Sequence, residues 1–340
     1  MADFLKTLKG EELVAISRDF DYVQAVNDMG LIGLKLMPMV RTENLKVAIY
    51  NLVKGAQVPV IALVHAFDAE ARIGDRPNYE EFKAQLFLIK EKINQGEELR
   101  KKVKDMGMSA DEKTMMDALY DDISNEISKV LVGFERRACE ALCKAQLTIN
   151  ENGANYTVNY GLNAANRVNF SGWSNPTHDI IGDLVALQTA AKGKIKRQII
   201  STKLMGYLLA NNKLNSMAAN DPNQGYLTRE YALNVIARLA GINVIVDDRT
   251  FRLSYNDATE YRFFDEDVVV SLTTEGEVGQ TLMTSTPTED FGEVDAKYGF
   301  IAVDQWTDHD PKTSWTLAEG VGLPVFFDIN NTLYLSTITA

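Results

Sequence analysis

Cysteine is nearly absent. The 340 residues hold only Cys139 and Cys143, too few for a disulfide framework and half of what a structural zinc site needs. His65, His178 and His309 are scattered, so no metal site is completed and the thiols are expected to be reduced packing residues. No apolar run reaches the ~18 residues that span a bilayer, and the N-terminus lacks the basic-then-apolar plan of a signal peptide. The expectation is a protein that acts in a cytoplasm, with no membrane. The sequons at Asn155, Asn169 and Asn330 are then chance matches. A basic excess is missing as well: the net charge of −12 argues against binding nucleic acid through clustered phosphate contacts. The densest basic group, Lys192, Lys194, Lys196 and Arg197, reads as a solvated helix end.

Catalytic signatures are also wanting. Gly193-Lys194 is followed by Ile195 and has no Gly five residues earlier, so the phosphate-loop pattern fails twice. There is no Gly-x-Gly-x-x-Gly, no Gly-x-Ser-x-Gly and no His-Glu-x-x-His. No catalytic residue, cofactor or metal ligand is assigned. Asp304, Asp308, His309 and Asp310 lie close together, but three acids around one His match no common ligand spacing. A polar loop is expected there; an α+β enzyme binding a metal at this loop is the alternative.

What the chain has is apolar material in long, ordered patterns. It is 46% hydrophobic and 24% charged, a balance that suits a folded protein of two or three domains. Residues 111–147 contain no Pro and one Gly and read as one helix about 50 Å long, against the 11–12 residues of an average helix. Met116, Leu119, Ile123, Ile127, Val130, Phe134, Ala138, Ala141 and Ala145 fall within a sector roughly 100° wide. Asp122, Glu126 and Arg136 fall outside it. Large residues give way to Ala along the stripe, where a coiled-coil seam would keep Leu or Ile. A spine laid against a sheet is the better reading.

Before the spine, residues 2–28 read as two amphipathic helical pieces and residues 45–52 alternate like a strand. Strand-like stretches at 58–64 and 85–89 flank a charged middle, Asp68 to Asn78. Such a long hairpin has little apolar area to bury on its own chain and needs a partner surface. The charged residues 94–110 lead into the spine and carry no chemistry. Beyond it, Asn152-Gly153 between Ile149 and the alternating Tyr156, Val158 and Tyr160 is a hairpin signature. Helices are expected at 177–191 and 203–209, and one capped by Thr228 and ended by Gly241. Strands follow at 198–200, 243–246, 250–254, 260–264 and 267–273. Further strands at 300–303, 314–317, 324–327 and 332–336 have a turn at 328–331. Without a regular βαβ repeat the fold class is α+β.

Several stretches in this order carry a family resemblance. They are Ala66-Phe-Asp-Ala-Glu-Ala71, Leu86-Phe-Leu-Ile-Lys-Glu-Lys-Ile93, Leu119-Tyr-Asp-Asp122, Thr148-Ile-Asn-Glu-Asn-Gly153 leading to Tyr156-Thr-Val-Asn-Tyr-Gly161, and Leu323-Pro-Val. Together they make the chain resemble the major capsid proteins of lambda-type tailed bacteriophages, the capsid protein E family. The resemblance implies the tailed-phage, herpesvirus-like capsid fold: an arm at 1–45, an extended E-loop hairpin at 46–93 and a peripheral domain at 94–175 with the spine. An axial domain at 176–300 and strands at 301–340 returning to the peripheral domain complete it.

It further implies self-assembly through hexamers and pentamers into an icosahedral phage head enclosing double-stranded DNA without sequence specificity. Expected partners are scaffolding, portal and decoration proteins, with assembly in the host bacterial cytoplasm. The family-like arm begins almost at Met1, which implies a separate scaffolding protein and little processing. Phe67, Asp68, Glu70 and Arg72 are the expected assembly contacts, and Met116, Leu119, Ile123, Ile127 and Phe134 the spine packing. An encapsulin-like cellular shell around an enzyme cargo would share the fold.

Overall fold

The computed structural model describes residues 10–43, 46–52, 79–95, 112–222, 225–291, 299–310 and 312–339. The chain opens with α1 (Gly10–Asp19), α2 (Tyr22–Asp28), α3 (Ile32–Leu36), β1 (Met39–Arg41), β2 (Lys46–Leu52), β3 (Tyr79–Gln85) and β4 (Phe87–Gln95). The spine is α4 (Glu112–Lys144), followed by β5 (Gln146–Glu151), β6 (Ala154–Asn159), β7 (Arg167–Ser171), α5 (Ile180–Ala190) and β8 (Arg197–Ile200). Next come α6 (Thr202–Ala210), α7 (Asn212–Ala219), α8 (Arg229–Ala240), β9 (Asn243–Val246), β10 (Thr250–Phe251), β11 (Tyr261–Arg262) and β12 (Val268–Leu272). The chain closes with β13 (Gly279–Thr284), α9 (Pro287–Phe291), β14 (Ala302–Thr307), β15 (Ser314–Phe326), α10 (Ile329–Thr332) and β16 (Leu333–Thr339). They form two compact units: Met1–Val47, Ala84–Ala138 and Gln280–Val325 in the first, and Ala48–Lys83, Cys139–Gly279 and Phe326–Ala340 in the second.

In the first unit the sheet order is β1-β13-β15-β14, with β4 also on β15. The spine lies on this sheet. Phe87 of β4 stacks on Phe134 with ring centroids 5.7 Å apart. A Cβ added at Gly320 would sit 3.0 Å from Phe134, and one at Gly322 2.8 Å from the Leu282 carbonyl oxygen and 3.0 Å from Phe134. Glycine there removes the side chains that would hold helix and strand apart. Ile127, Val130, Leu131 and Phe134 are fully buried, each contributing roughly 1.5–3 kcal/mol of apolar burial.

The second unit has a five-stranded sheet of order β7-β16-β12-β8-β9. β12 runs antiparallel to both neighbours, while β7 and β9 pair in parallel. Trp173, Ile180, Leu184, Leu204, Leu208 and Ile236 belong to one core that includes Val269 and Ile338 of the sheet. Side-chain caps set the helix starts: Asp179 accepts from Gly182 N, Ser201 from Leu204 N and Thr228 from Tyr231 N. Gly241 ends α8 in the left-handed region at φ 68°.

The mixed architecture agrees with α+β, and four expectations need correcting. The spine stops at Lys144, short of Leu147: Ala145 turns to φ 53° and Gln146 and Leu147 pair with Asn159 and Val158. The strand ladder wins over helix propensity there. Second, the buried surface of the spine is wider than one stripe. Glu126 and Glu135 are fully buried and Arg137 nearly so, and Cys139 and Leu142 are covered too. Third, the stretches expected at 314–317 and 324–327 are one strand, β15, which ends at Phe326. Its pairing with β4 ends at Gly322, so the missing N–H of Pro324 costs no ladder bond on that side. Fourth, the turn at 328–331 is the short helix α10, held by Thr332 N donating to Asp328 O at 3.0 Å.

The C-terminal strands divide between the units: β14 and β15 join the first sheet and β16 the second. Asn152 and Gly153 both have positive φ, 47° and 84°, as the two-residue hairpin turn requires.

Candidate assembly surfaces

Among the described residues no group of three or more His, Cys, Asp or Glu converges to hold a metal ion. Asp304 lies on β14, while the Asp308 carboxylate accepts from the Trp315 indole at 2.8 Å. Trp315 stacks on Trp306 at 6.2 Å, with the Lys92 ammonium 4.4 Å over its ring. The acidic loop is thus engaged in surface packing. Cys139 and Cys143 are buried and unbridged, and burial pushes the Cys143 thiol up to about 12. A thiol held protonated is a packing group, neither nucleophile nor ligand. The basic group begins at a helix end, as expected: Lys192 and Gly193 take positive φ just past α5, and Gly193 N donates to Gln188 O at 2.8 Å. Beyond it, Lys194 donates to Asn331 at 3.0 Å and Arg197 to the Gly276 carbonyl.

His178 and Trp173 share one acceptor. His178 Nε2 lies 2.7 Å and the Trp173 indole nitrogen 2.8 Å from Asp183 Oδ2. The cluster ties the loop before α5 to that helix.

In the first unit, polar latches hold the N-terminal helices. The Glu135 carboxylate accepts from Gly33 N at 2.9 Å and Leu34 N at 2.8 Å, which places a buried anion at the N-terminus of α3. Two amides that a helix start leaves without an intrahelical partner are satisfied by it, one on each carboxylate oxygen. Ser17 Oγ donates to the Ile301 carbonyl, while the buried Tyr22 hydroxyl, its pKa raised by burial, accepts from Ile301 N at 3.2 Å. Arg41 donates to Gly299 O and pairs with Glu289. Residues more than 100 positions apart are thereby joined, so the N-terminal helices are tied to the spine and to the start of the C-terminal strands.

Of the sequence-predicted residues, Ile123, Ile127 and Phe134 are buried in the spine packing. Met116 and Leu119 lie on α4, with side chains outside the described residues, and Phe67, Asp68, Glu70 and Arg72 lie outside them altogether. Sequence reasoning misses Glu135, since a carboxylate on a helix looks like any solvated position until the amides that donate to it are known. It also misses an ordered apolar loop tip, where Leu253 and Tyr255 stand exposed.

No helix among the described residues is long and apolar enough to cross a membrane. A family model described as phage major capsid protein E matches residues 34–335. No curated protein matches the sequence. Among solved structures, a prophage protein of E. coli CFT073 described as its capsid protein shares 13% identity at TM-score 0.62, covering 98% of this chain and 100% of that one. A phage-related protein from Bordetella bronchiseptica RB50 shares 14% identity at TM-score 0.57, with 98% of each chain covered.

Proposed function

Because this chain belongs to the phage major capsid protein E family, we propose that it builds the head of a tailed phage by self-assembly through hexamers and pentamers into an icosahedral shell around double-stranded DNA. Its role is structural and its place is the phage head. The observation that carries the reading is the family match over residues 34–335 on a chain whose fold runs end to end along a prophage capsid structure. The net charge of −12 is compatible with enclosing DNA: a strongly basic wall would hold the packaged duplex by salt-dependent attraction and oppose its release.

In this reading residues 1–45 are the arm, 46–93 the E-loop, 94–175 the peripheral domain, 176–300 the axial domain, and 301–340 the returning strands. Phe67, Asp68, Glu70 and Arg72 contact neighbouring subunits. Scaffolding, portal and decoration proteins are the partners, and assembly takes place in the host bacterial cytoplasm. Negative-stain microscopy of the purified recombinant chain tests the assembly: shells, rings or tubes are expected, and compact monomers at all concentrations would overturn it. Deleting residues 66–80 should leave a folded subunit that no longer assembles; particles of normal size from that variant would remove the hairpin from the contact. Nucleic acid rather than a protein cargo is expected inside native particles.

A further inference from the structure

Two surfaces of the second unit have no covering element among the described residues. One is convex. In the loop between β10 and β11, Leu253 is 61% and Tyr255 81% exposed. The loop is nevertheless ordered from within: Asp257 N donates to Ser254 O at 3.1 Å, Thr259 N to Asp257 Oδ1 at 2.9 Å, and Arg252 pairs with Glu260. Stacked Phe251 and Tyr261, 5.7 Å apart, fix its base. A rigid exposed aromatic is the residue type that dominates protein contacts, because it buries much area for little lost entropy.

The other surface is concave. A groove of about 630 Å³ runs between α7 and α8, with Met217, Tyr231, Val235 and Leu239 on its walls and Lys213 and Arg238 at its rim. Tyr231 Oη donates to Met217 O at 3.3 Å and joins the two helices. No carboxylate lines it. Lys213 is balanced by Asp179 at 2.8 Å, which leaves Arg238 as the rim cation without an ion-pair partner among the described residues. The loop tip carries the complement: two apolar side chains and Asp257, whose carboxylate accepts from the Thr259 amide and has no ion-pair partner among the described residues.

Arg238 and Leu239 lie in the last turn of α8, just before the Gly241 turn into the start of β9, while the loop 252–260 follows the end of that strand. A tip and a groove at different places on one chain make a head-to-tail contact between copies, which closes a ring where its rotation allows.

We propose that the Leu253–Tyr255 tip of one copy seats in the α7–α8 groove of the next, with Asp257 meeting Arg238, and that this contact closes the capsomer ring. The inference rests on the capsid reading, and its test separates the two. Tyr255→Cys and Leu239→Cys are placed in one chain, and assembled particles are treated with a short bis-maleimide. The expected result is a ladder of covalent oligomers on a denaturing gel, absent from either single variant and undisturbed by the buried Cys139 and Cys143. Particles that yield only monomer bands, or a crosslink confined to one chain, overturn the contact and leave the capsid reading in place. A wild-type chain that never assembles overturns both. Charge exchange gives a second readout that needs no cysteine. Asp257→Arg and Arg238→Asp should each lower particle yield severalfold, and the pair should recover it; single variants without effect, or a pair that does not recover, overturn the contact.

Discussion

The two units are built by different means. The sheet of the first draws strands from three separated parts of the chain, β1 near residue 40, β4 near 90 and β13 to β15 beyond 279. Its closure relies on contacts such as Glu135 to Gly33 and Tyr22 to Ile301, more than 100 and 270 residues apart respectively. The second unit is mostly one continuous stretch, 139–279, whose helices begin at their own Asp, Ser and Thr caps. Non-local pairing must overcome loop-closure entropy before it stabilises anything. The first unit is therefore the more exposed to a single core lesion, and the second to the sum of small local ones.

The largest expected effect tests that asymmetry at the spine. Ile127 is fully buried, and Ile127→Asp would place an unpaired carboxylate in the apolar contact between helix and sheet. A loss of about 4 kcal/mol or more is expected, comparable with the whole ~5–15 kcal/mol of a typical domain. Circular dichroism and urea melts should show no cooperative transition for residues of the first unit. A melt like that of the parent chain would mean that the spine is not what the sheet depends on.

Glu135→Gln probes the anchor without emptying its space. One oxygen remains to accept from Gly33 or Leu34, but the charge-assisted character of both bonds is lost. The cost should be about 2 kcal/mol in chemical denaturation, with the N-terminal helices becoming the first site of proteolytic cleavage. Unchanged protease resistance would show that Ser17, Tyr22 and Arg41 hold the N-terminal helices without Glu135.

This contrast also marks what could be read from the sequence. Thr228, Gly241 and Asn152-Gly153 act within a few residues of themselves, so their cap and turn roles were visible in spacing alone. The spine was visible too, because its period runs for nine turns; its end was not, since Ala145 is a good helix former overruled by the β5–β6 ladder. Glu126 fell outside the apolar stripe and Glu135 escaped because charge is their only local signal. The partners that justify their burial, Lys129 for one and the start of α3 for the other, come partly from across the chain. The unity of β15 escaped for a similar reason: Pro324 looks like a break until its missing donor is seen to lie past the end of the β4 pairing.

In the second unit the effects should be smaller and local. Thr228→Ala removes the acceptor for Tyr231 N and should cost about 1 kcal/mol. Hydrogen exchange should report this as faster opening of the first turn of α8, with the sheet amides unchanged. Faster exchange throughout the unit would mean that its parts are not as independent as their local caps suggest.

The smallest expected effect separates a cap from an ion pair at Asp179. Its carboxylate accepts from Lys213 Nζ at 2.8 Å and from Gly182 N at 3.0 Å. The Lys213 hydrogen bond, then the Gly182 amide, hold its pKa below the ordinary aspartate value. A lowered folded-state pKa contributes stability that is present above the unfolded value of about 3.9 and is lost as pH falls through the folded one. Both partners are about half exposed, so solvent screening limits the ion pair to a few tenths of a kcal/mol. Asp179→Asn keeps a good capping acceptor and should match the parent at pH 7 within that margin, while flattening the loss of stability on the acid side. Asp179→Ala removes the cap as well and should cost about 1 kcal/mol at every pH above the acid range. Equal losses from Asn and Ala would assign the stabilisation to the charge, and the α5 start would then depend on its contact with Lys213 rather than on its own first turn.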